Sequence, residues 1–210
     1  MPVARRRIGR TKITNVRGIT IAEARFSAAE PHFMDKRELR KTMKQRNLSL
    51  SAAEREAASE LLVARLERLG AFARARTVAL FAPLPDEPDV RRALARWCGA
   101  RRLALPRVEG DAMRFFLYDP ATMRRGAFGI DEPGPGAVEC PPSEIDIVVV
   151  PGVAFTAAGD RLGRGRGYYD RYLSQRGMRA VRVGVCYAHQ LVAALPVEPH
   201  DVRMACVVTS

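Results

Sequence analysis

The sequence predicts a three-layer α/β domain with a largely parallel central sheet and helices on both faces. Three observations carry that reading. Apolar runs of strand length, such as Thr77–Ala82 and Ile145–Val150, alternate with segments rich in helix formers. The connections between them are short, as right-handed crossovers allow. The apolar runs stop at Pro or Gly, and in an open α/β sheet ligands gather beyond the carboxyl ends of the strands.

The chain has 210 residues and 47% hydrophobic residues, which suits one domain with a sizeable core. Residues 1–33 hold seven arginines and lysines against two glutamates and show no apolar face, so they read as a basic, disordered tail. An organelle transit peptide is the lesser alternative. Met34 opens the organised domain, 34–210. No apolar stretch approaches the about 18 residues a membrane span needs. The net charge of +12 favours anionic ligands, namely nucleotides, polyglutamates or nucleic acid, although solubility and an arginine-rich composition account for it equally. Cys98, Cys140, Cys186 and Cys206 have no zinc spacing and read as small buried apolar residues in a reduced cytoplasmic compartment. His32, His189 and His200 fall in no metal pattern.

In chain order, Asp35–Arg46 is helical, with Leu39 and Met43 inward and Lys36 and Arg40 four apart on a basic face. Ser51 and Glu54 form a capping box for a helix through Leu69, which Gly70 stops. Thr77–Ala82 is a buried strand, followed by Pro83–Pro88. Glu87 is a carboxylate at the position where ligands sit, and it reads equally as a turn residue before a helix Val90–Cys98 capped by Asp89. Arg102–Leu105 is a strand ending at Pro106. Met113–Tyr118 is another, with Phe115 and Phe116 on opposite faces, either able to stack on a flat heterocycle or to pack in the core. Gly126–Pro135 is a loop. Ile145–Val150, the most strand-like run, feeds a Gly/Arg loop and then a helix from Gly167 to Gln175. Val181–Cys186 is a strand, His189–Leu195 a short helix, Pro196–Asp201 a loop and Ala205–Thr209 the last strand.

The chemistry concentrates in Pro151–Tyr172, PGVAFTAAGDRLGRGRGYYDRY. Gly159, Gly163, Gly165 and Gly167 let main-chain N–H groups approach an anion. Arg161, Arg164 and Arg166 add planar donor forks suited to phosphate, and Asp170 can hold a divalent cation against it. The stretch matches neither the Walker loop nor the dinucleotide glycine pattern. A flexible basic surface loop is the plain alternative.

With these residues in place, the chain from about Met34 to Thr209 closely resembles the 5-formyltetrahydrofolate cyclo-ligase family. The resemblance rests on Lys36–Arg40, the Phe81 to Glu87 segment, Phe116, Gly129–Pro133, the long Pro151–Tyr172 signature, Val183–Val185, Gln190 and His200–Val202. Arg166 stands where the family often has Lys or Gly. The resemblance implies an ATP- and magnesium-dependent ligase that closes 5-formyltetrahydrofolate to 5,10-methenyltetrahydrofolate, releasing ADP and phosphate. It implies ATP binding by Lys36, Arg40 and the loop Arg161, Leu162, Gly163, Arg164, Gly165, Arg166, Gly167, Tyr168 and Tyr169. It implies that Arg164, nearest the transferred phosphate, and Tyr168, between the two ligands, are the catalytic residues, and it gives magnesium to Asp170. Phe81, Ala82, Glu87, Phe116 and Tyr168 are implied to bind the folate, polyglutamylated or not. A cytoplasmic monomer without nucleic-acid or membrane partners is expected. The rival readings are a non-catalytic nucleotide- or nucleic-acid-binding homologue on the same scaffold, and a sugar-phosphate or acyl-CoA enzyme of similar architecture.

Overall fold

The computed structural model describes residues 35–126 and 128–210, so the expectations for the tail, Met34 and His32 lie outside the described residues. The first helix, α1 (Lys36–Ser49), buries Leu39 and Met43 as the pattern demands, and runs three residues beyond the expected end. Helix α2 (Ala52–Glu67) starts at the capping box: Ser51 Oγ accepts from Glu54 N–H, and the Glu54 carboxylate accepts from Ser51 N–H. Gly70 does more than stop a helix, because it begins the short α3 (Gly70–Arg74).

Six strands form the main sheet. They are β1 (Thr77–Ala79), β2 (Arg102–Glu109), β3 (Ala112–Leu117), β6 (Ile147–Pro151), β9 (Val181–Cys186) and β11 (Cys206–Thr209), in the spatial order β11-β9-β6-β1-β2-β3. All neighbours are parallel except β2 and β3, which pair antiparallel through a hairpin turning at Gly110 with φ +59°. Pro106 was expected to end β2. It does not, because β1 pairs with β2 only as far as Ala79↔Ala104, and beyond that point no strand among the described residues needs a donor from Pro106 on that side.

Alternation along β6 sorts the core into two layers. Ile147 and Val149 face α2, α3 and α4 (Arg91–Trp97), where Leu62, Leu66, Phe72 and Trp97 are buried. Val148 and Val150 face the opposite side, against Phe115 and against Tyr172 and Leu173 of α5 (Tyr168–Leu173). Helices therefore cover both faces of a largely parallel sheet.

A smaller sheet sits beside it: β7 (Ala154–Thr156) between β8 (Arg161–Leu162) and β10 (Leu191–Val192). Its residues Ala154 and Leu162 pack with Leu39 and Met43 of α1. The helix expected over His189–Leu195 is a single 3-10 turn, Ala188–Gln190, leading into β10. Gln190 is the reason: its buried amide donates to the carbonyls of Gly152 and Val153 at 3.1 and 2.8 Å, which draws the chain into register with β7. The Gly126–Pro135 loop likewise contains a strand, β5 (Asp131–Pro133), paired with β4 (Met123–Arg125). The ring of Phe155 on β7 is held between two glycines. A Cβ on Gly152 or on Gly184 would lie 2.5 Å from it. That contact joins the small sheet to β9. All four cysteines are free; Cys140 and Cys186 are buried, Cys206 is partly buried, and Cys98 departs from expectation by being exposed. Burial pushes the Cys186 thiol up to about 12.

Candidate active site

A cleft of about 450 Å³ opens at the carboxyl ends of β1 and β6. Every implied site residue but one lines it: Lys36 and Arg40 from α1, Phe81, Ala82 and Glu87 after β1, and Arg161 through Asp170 around the Gly/Arg loop. The exception is Phe116, which corrects the expectation that it lines the folate pocket. The β2–β3 hairpin turns Pro106, Val108 and Met113 toward the cleft, and strand alternation sends Phe116 to the other face. There it is buried with the Arg107 guanidinium 3.7 Å from its ring centroid.

The loop owes its shape to backbone that side chains resist. Gly165 and Gly167 have φ of +97° and +66°. The Arg40 guanidinium lies over Gly165, with Nε donating to the carbonyl of Gly163 at 2.9 Å. Helix α5 is only six residues long, shorter than expected, and Gly167 is its N-cap. Tyr168 is tied to the hairpin tip, its hydroxyl donating to the Gly110 carbonyl at 3.3 Å and Arg171 lying 5.3 Å from its ring. Arg166 is exposed, and its carbonyl accepts from Arg171 at 3.0 Å.

Arg161 is buried beneath the loop. Its Nη2 donates to Asp170 Oδ2 at 2.8 Å, and the other Asp170 oxygen accepts from Val202 N–H at 3.3 Å. The Tyr169 hydroxyl and Arg161 Nε are buried with no partner among the described residues. Burial, and next the charge of Glu87, raise the Tyr169 phenol well above its ordinary value, so it stays protonated and is a donor without an acceptor.

Arg164 crosses the cleft to the segment after β1. Its Nε donates to Glu87 Oε1 at 2.9 Å and its Nη2 to Asp86 Oδ1 at 2.7 Å. Glu87 Oε2 accepts from Leu84 N–H at 3.0 Å. Burial raises the Glu87 carboxyl above its ordinary value, against the opposing pull of Arg164; desolvation of a side chain only 8% exposed outweighs one half-open partner. Asp86 was not singled out in the sequence, though its place beside Glu87 was the available signal. The loop Pro196–Asp201, read as a plain connection, also reaches the cleft. Glu198 and Asp201 accept from and pair with Lys36 at 2.8 and 3.6 Å. The hydrogen bond from Lys36 is the main cause of a lowered Glu198 carboxyl.

The donor set suits magnesium carried on phosphates better than a dedicated metal cage. Asp170 and Asp201 are hard oxygen ligands in the cleft, but among the described residues no group of three or more His, Cys, Asp or Glu converges on one point. His189 is used structurally, its Nε2 2.6 Å from Asn47 Oδ1. No helix among the described residues is long and apolar enough to cross a membrane.

An open α/β sheet with a cationic glycine loop facing a pocket with a buried carboxylate defines a class: α/β proteins with a ligand cleft beyond the carboxyl ends of the strands, one wall suited to an anion. The comparisons give the family. The profile of the 5-formyltetrahydrofolate cyclo-ligase family matches residues 32–210, and the chain belongs to that family. It is 34% identical over 183 residues to the 5-formyltetrahydrofolate cyclo-ligase of Mycolicibacterium smegmatis, covering 83% of this chain and 93% of the relative. The mouse 5-formyltetrahydrofolate cyclo-ligase is 27% identical, with 80% and 90% covered. The solution structure of Aquifex aeolicus 5,10-methenyltetrahydrofolate synthetase superposes with a TM-score of 0.76 at 37% identity, covering 84% of this chain and 90% of the other.

Proposed function

We propose that this chain catalyses the ATP-dependent closure of 5-formyltetrahydrofolate to 5,10-methenyltetrahydrofolate, with release of ADP and phosphate. The observation that carries the reading is the bridge between Arg164 and Glu87. It puts the loop suited to phosphate and the carboxylate suited to a pterin on facing walls of one cleft, within hydrogen-bond reach. Family membership supports the same reaction and favours it over the non-catalytic alternative.

The chemistry asks the protein for alignment and charge neutralisation. The formyl oxygen attacks the γ-phosphorus, and the bond from that phosphorus to the ADP oxygen breaks. The arylamine nitrogen of the folate then attacks the activated formyl carbon and gives up its proton, and the carbon–oxygen bond breaks to release phosphate, which carries that proton as hydrogen phosphate. Glu87 accepts hydrogen bonds from pterin N–H groups, with Phe81 and Ala82 as apolar walls. Arg161, Arg164, Arg166, Lys36, Arg40 and the glycine-loop amides hold the triphosphate, and Arg164 stabilises charge on the transferred group. Tyr169 lines the cleft, with its unpartnered hydroxyl buried in the wall. Asp170, with Asp201 as a second carboxylate, would hold magnesium, which neutralises phosphate charge when bound.

Residues 34–210 carry the activity as a cytoplasmic monomer, with 5-formyltetrahydrofolate as the substrate, polyglutamylated or not. The test is turnover: purified protein, 5-formyltetrahydrofolate, magnesium and ATP, followed by the near-ultraviolet absorption of the methenyl product. ATP-dependent product, made also by a chain starting at Met34, is the expected result. No product from either chain, with both ligands bound, would refute the assignment.

A further inference from the structure

We infer that Asp86 is a positioning residue for the reaction: it anchors the Arg164 guanidinium in the cleft when Glu87 turns to the folate. The inference rests on the function proposed above and adds a residue to it.

The geometry of the guanidinium is the starting point. Nε–H and one Nη2–H lie along the same edge of the planar group, and that edge is fully used, by Glu87 at 2.9 Å and Asp86 at 2.7 Å. Nη1 has no partner among the described residues, and Arg164 lines the cleft, so the opposite edge remains available for phosphate oxygens. The two carboxylates are not equivalent. Glu87 lines the cleft, whereas Asp86 lies outside it, in a small adjoining cavity of about 150 Å³ that Arg164 walls off. Folate donors therefore reach Glu87 and leave Asp86 alone. Each bond Glu87 makes to a pterin N–H competes with its bond to Arg164. Without a second anchor the side chain would be left with many rotamers and no fixed place.

Asp86 is built to be that anchor. Its side chain is 9% exposed, and Arg164 is its one ion-pair partner among the described residues. The backbone that carries it is held from behind by two different elements. Asn47 Nδ2, on α1, donates to the Asp86 carbonyl at 2.9 Å, while Asn47 Oδ1 is fixed by His189 at 2.6 Å. The Tyr187 hydroxyl donates to the next carbonyl, that of Glu87, at 3.1 Å. A carboxylate on a pinned backbone presents its oxygen at one point. A guanidinium held there by one end keeps its free edge aimed, which is what transition-state stabilisation by a fixed donor requires.

Asp86→Asn keeps the shape and removes the charge. With 5-formyltetrahydrofolate and ATP it is expected to lower kcat by about 10-fold or more while the dissociation constant for the folate, measured without ATP, moves by less than about 3-fold. An independent readout is labelling of Arg164 by phenylglyoxal, quantified on its peptide against the exposed Arg176 in the same digest. Freed from Asp86, Arg164 should label several-fold faster relative to Arg176. Asn47→Ser, which loosens the same segment from behind, should show the same split in weaker form and stands in if Asp86→Asn fails to fold. A kcat within about 2-fold of wild type, or labelling of Arg164 unchanged in both variants, would overturn the inference. If wild type makes no methenyl product, the proposed function fails by itself, and the labelling comparison decides Asp86: faster labelling upholds the anchor and unchanged labelling removes it.

Discussion

Replacing Arg164 by lysine separates charge from shape at the cleft. Arginine serves two carboxylates on two residues with donors from one edge, at 2.9 and 2.7 Å, and keeps Nη1 free of partners among the described residues. A lysine ammonium is a point charge on a flexible stem and cannot hold both carboxylates while directing a fixed edge to phosphate. One charge-assisted hydrogen bond contributes about 1.5–3 kcal/mol. If that is lost only where charge develops on the transferred group, kcat falls about 10- to 150-fold. Alanine removes the donor altogether and should cost about 100- to 1,000-fold. Because lysine retains the charge beside Asp86 and Glu87, the melting temperature should fall less for lysine than for alanine. The assay is the absorbance of the methenyl product under saturating ATP and folate, with folate affinity measured separately by equilibrium binding. A lysine variant that retains more than half of wild-type kcat would show that charge alone suffices and that the planar fork does no catalytic work.

Three further outcomes follow from single features. Burial raises the Glu87 carboxyl above 4.5, so the folded protein holds this proton more tightly than the unfolded chain; its favourable contribution to stability is complete below 4.5 and lost as pH rises through the raised value. Glu87→Gln should therefore gain melting temperature relative to wild type as pH rises, and wild-type KM for folate should climb as the pH falls toward that value; flat profiles in both would contradict the burial argument. Gly184→Ala would place a Cβ 2.5 Å from the Phe155 ring and should lower stability by about 1–3 kcal/mol, a fall of about 2–12 °C in Tm by calorimetry. Ser51→Ala removes the capping box far from the cleft and should cost about 1 kcal/mol in denaturant titration while kcat stays at the wild-type level.

Much of this site was legible because its signals are local. The Gly/Arg stretch announces itself by composition, and the i, i+4 spacing of Lys36 and Arg40 places both on one side of α1, where they do line the cleft. Glu87 was legible only as a position, after a strand, and needed the family resemblance to acquire a role. What the sequence hid depends on distant partners. Asp86 matters through Arg164, 78 residues away. The loop around Asp201 matters through Lys36, which comes from the other end of the domain. Phe116 was misplaced because a face of a strand can be named from alternation, but which face meets the cleft depends on the hairpin's docking. The strands of the small sheet, two or three residues each, are too short for periodicity to mark, and Pro106 inside β2 looks like a stop until its missing neighbour is seen.

The pairing of cleft cations with their own carboxylates has a consequence for how the protein meets anions in general. Lys36, Arg161 and Arg164 each carry an internal counter-ion, supplied by Glu198 and Asp201, by Asp170, and by Asp86 and Glu87. At those three side chains the arrival of an anion would be an exchange of ion partners, whereas Arg40 and Arg166, which also line the cleft, have no carboxylate partner among the described residues. Affinity won that way should vary little with ionic strength, unlike the steep salt dependence of a polyanion held by free surface arginines. A chain with a net charge of +12 can in this way keep its cleft from collecting every anion that diffuses past.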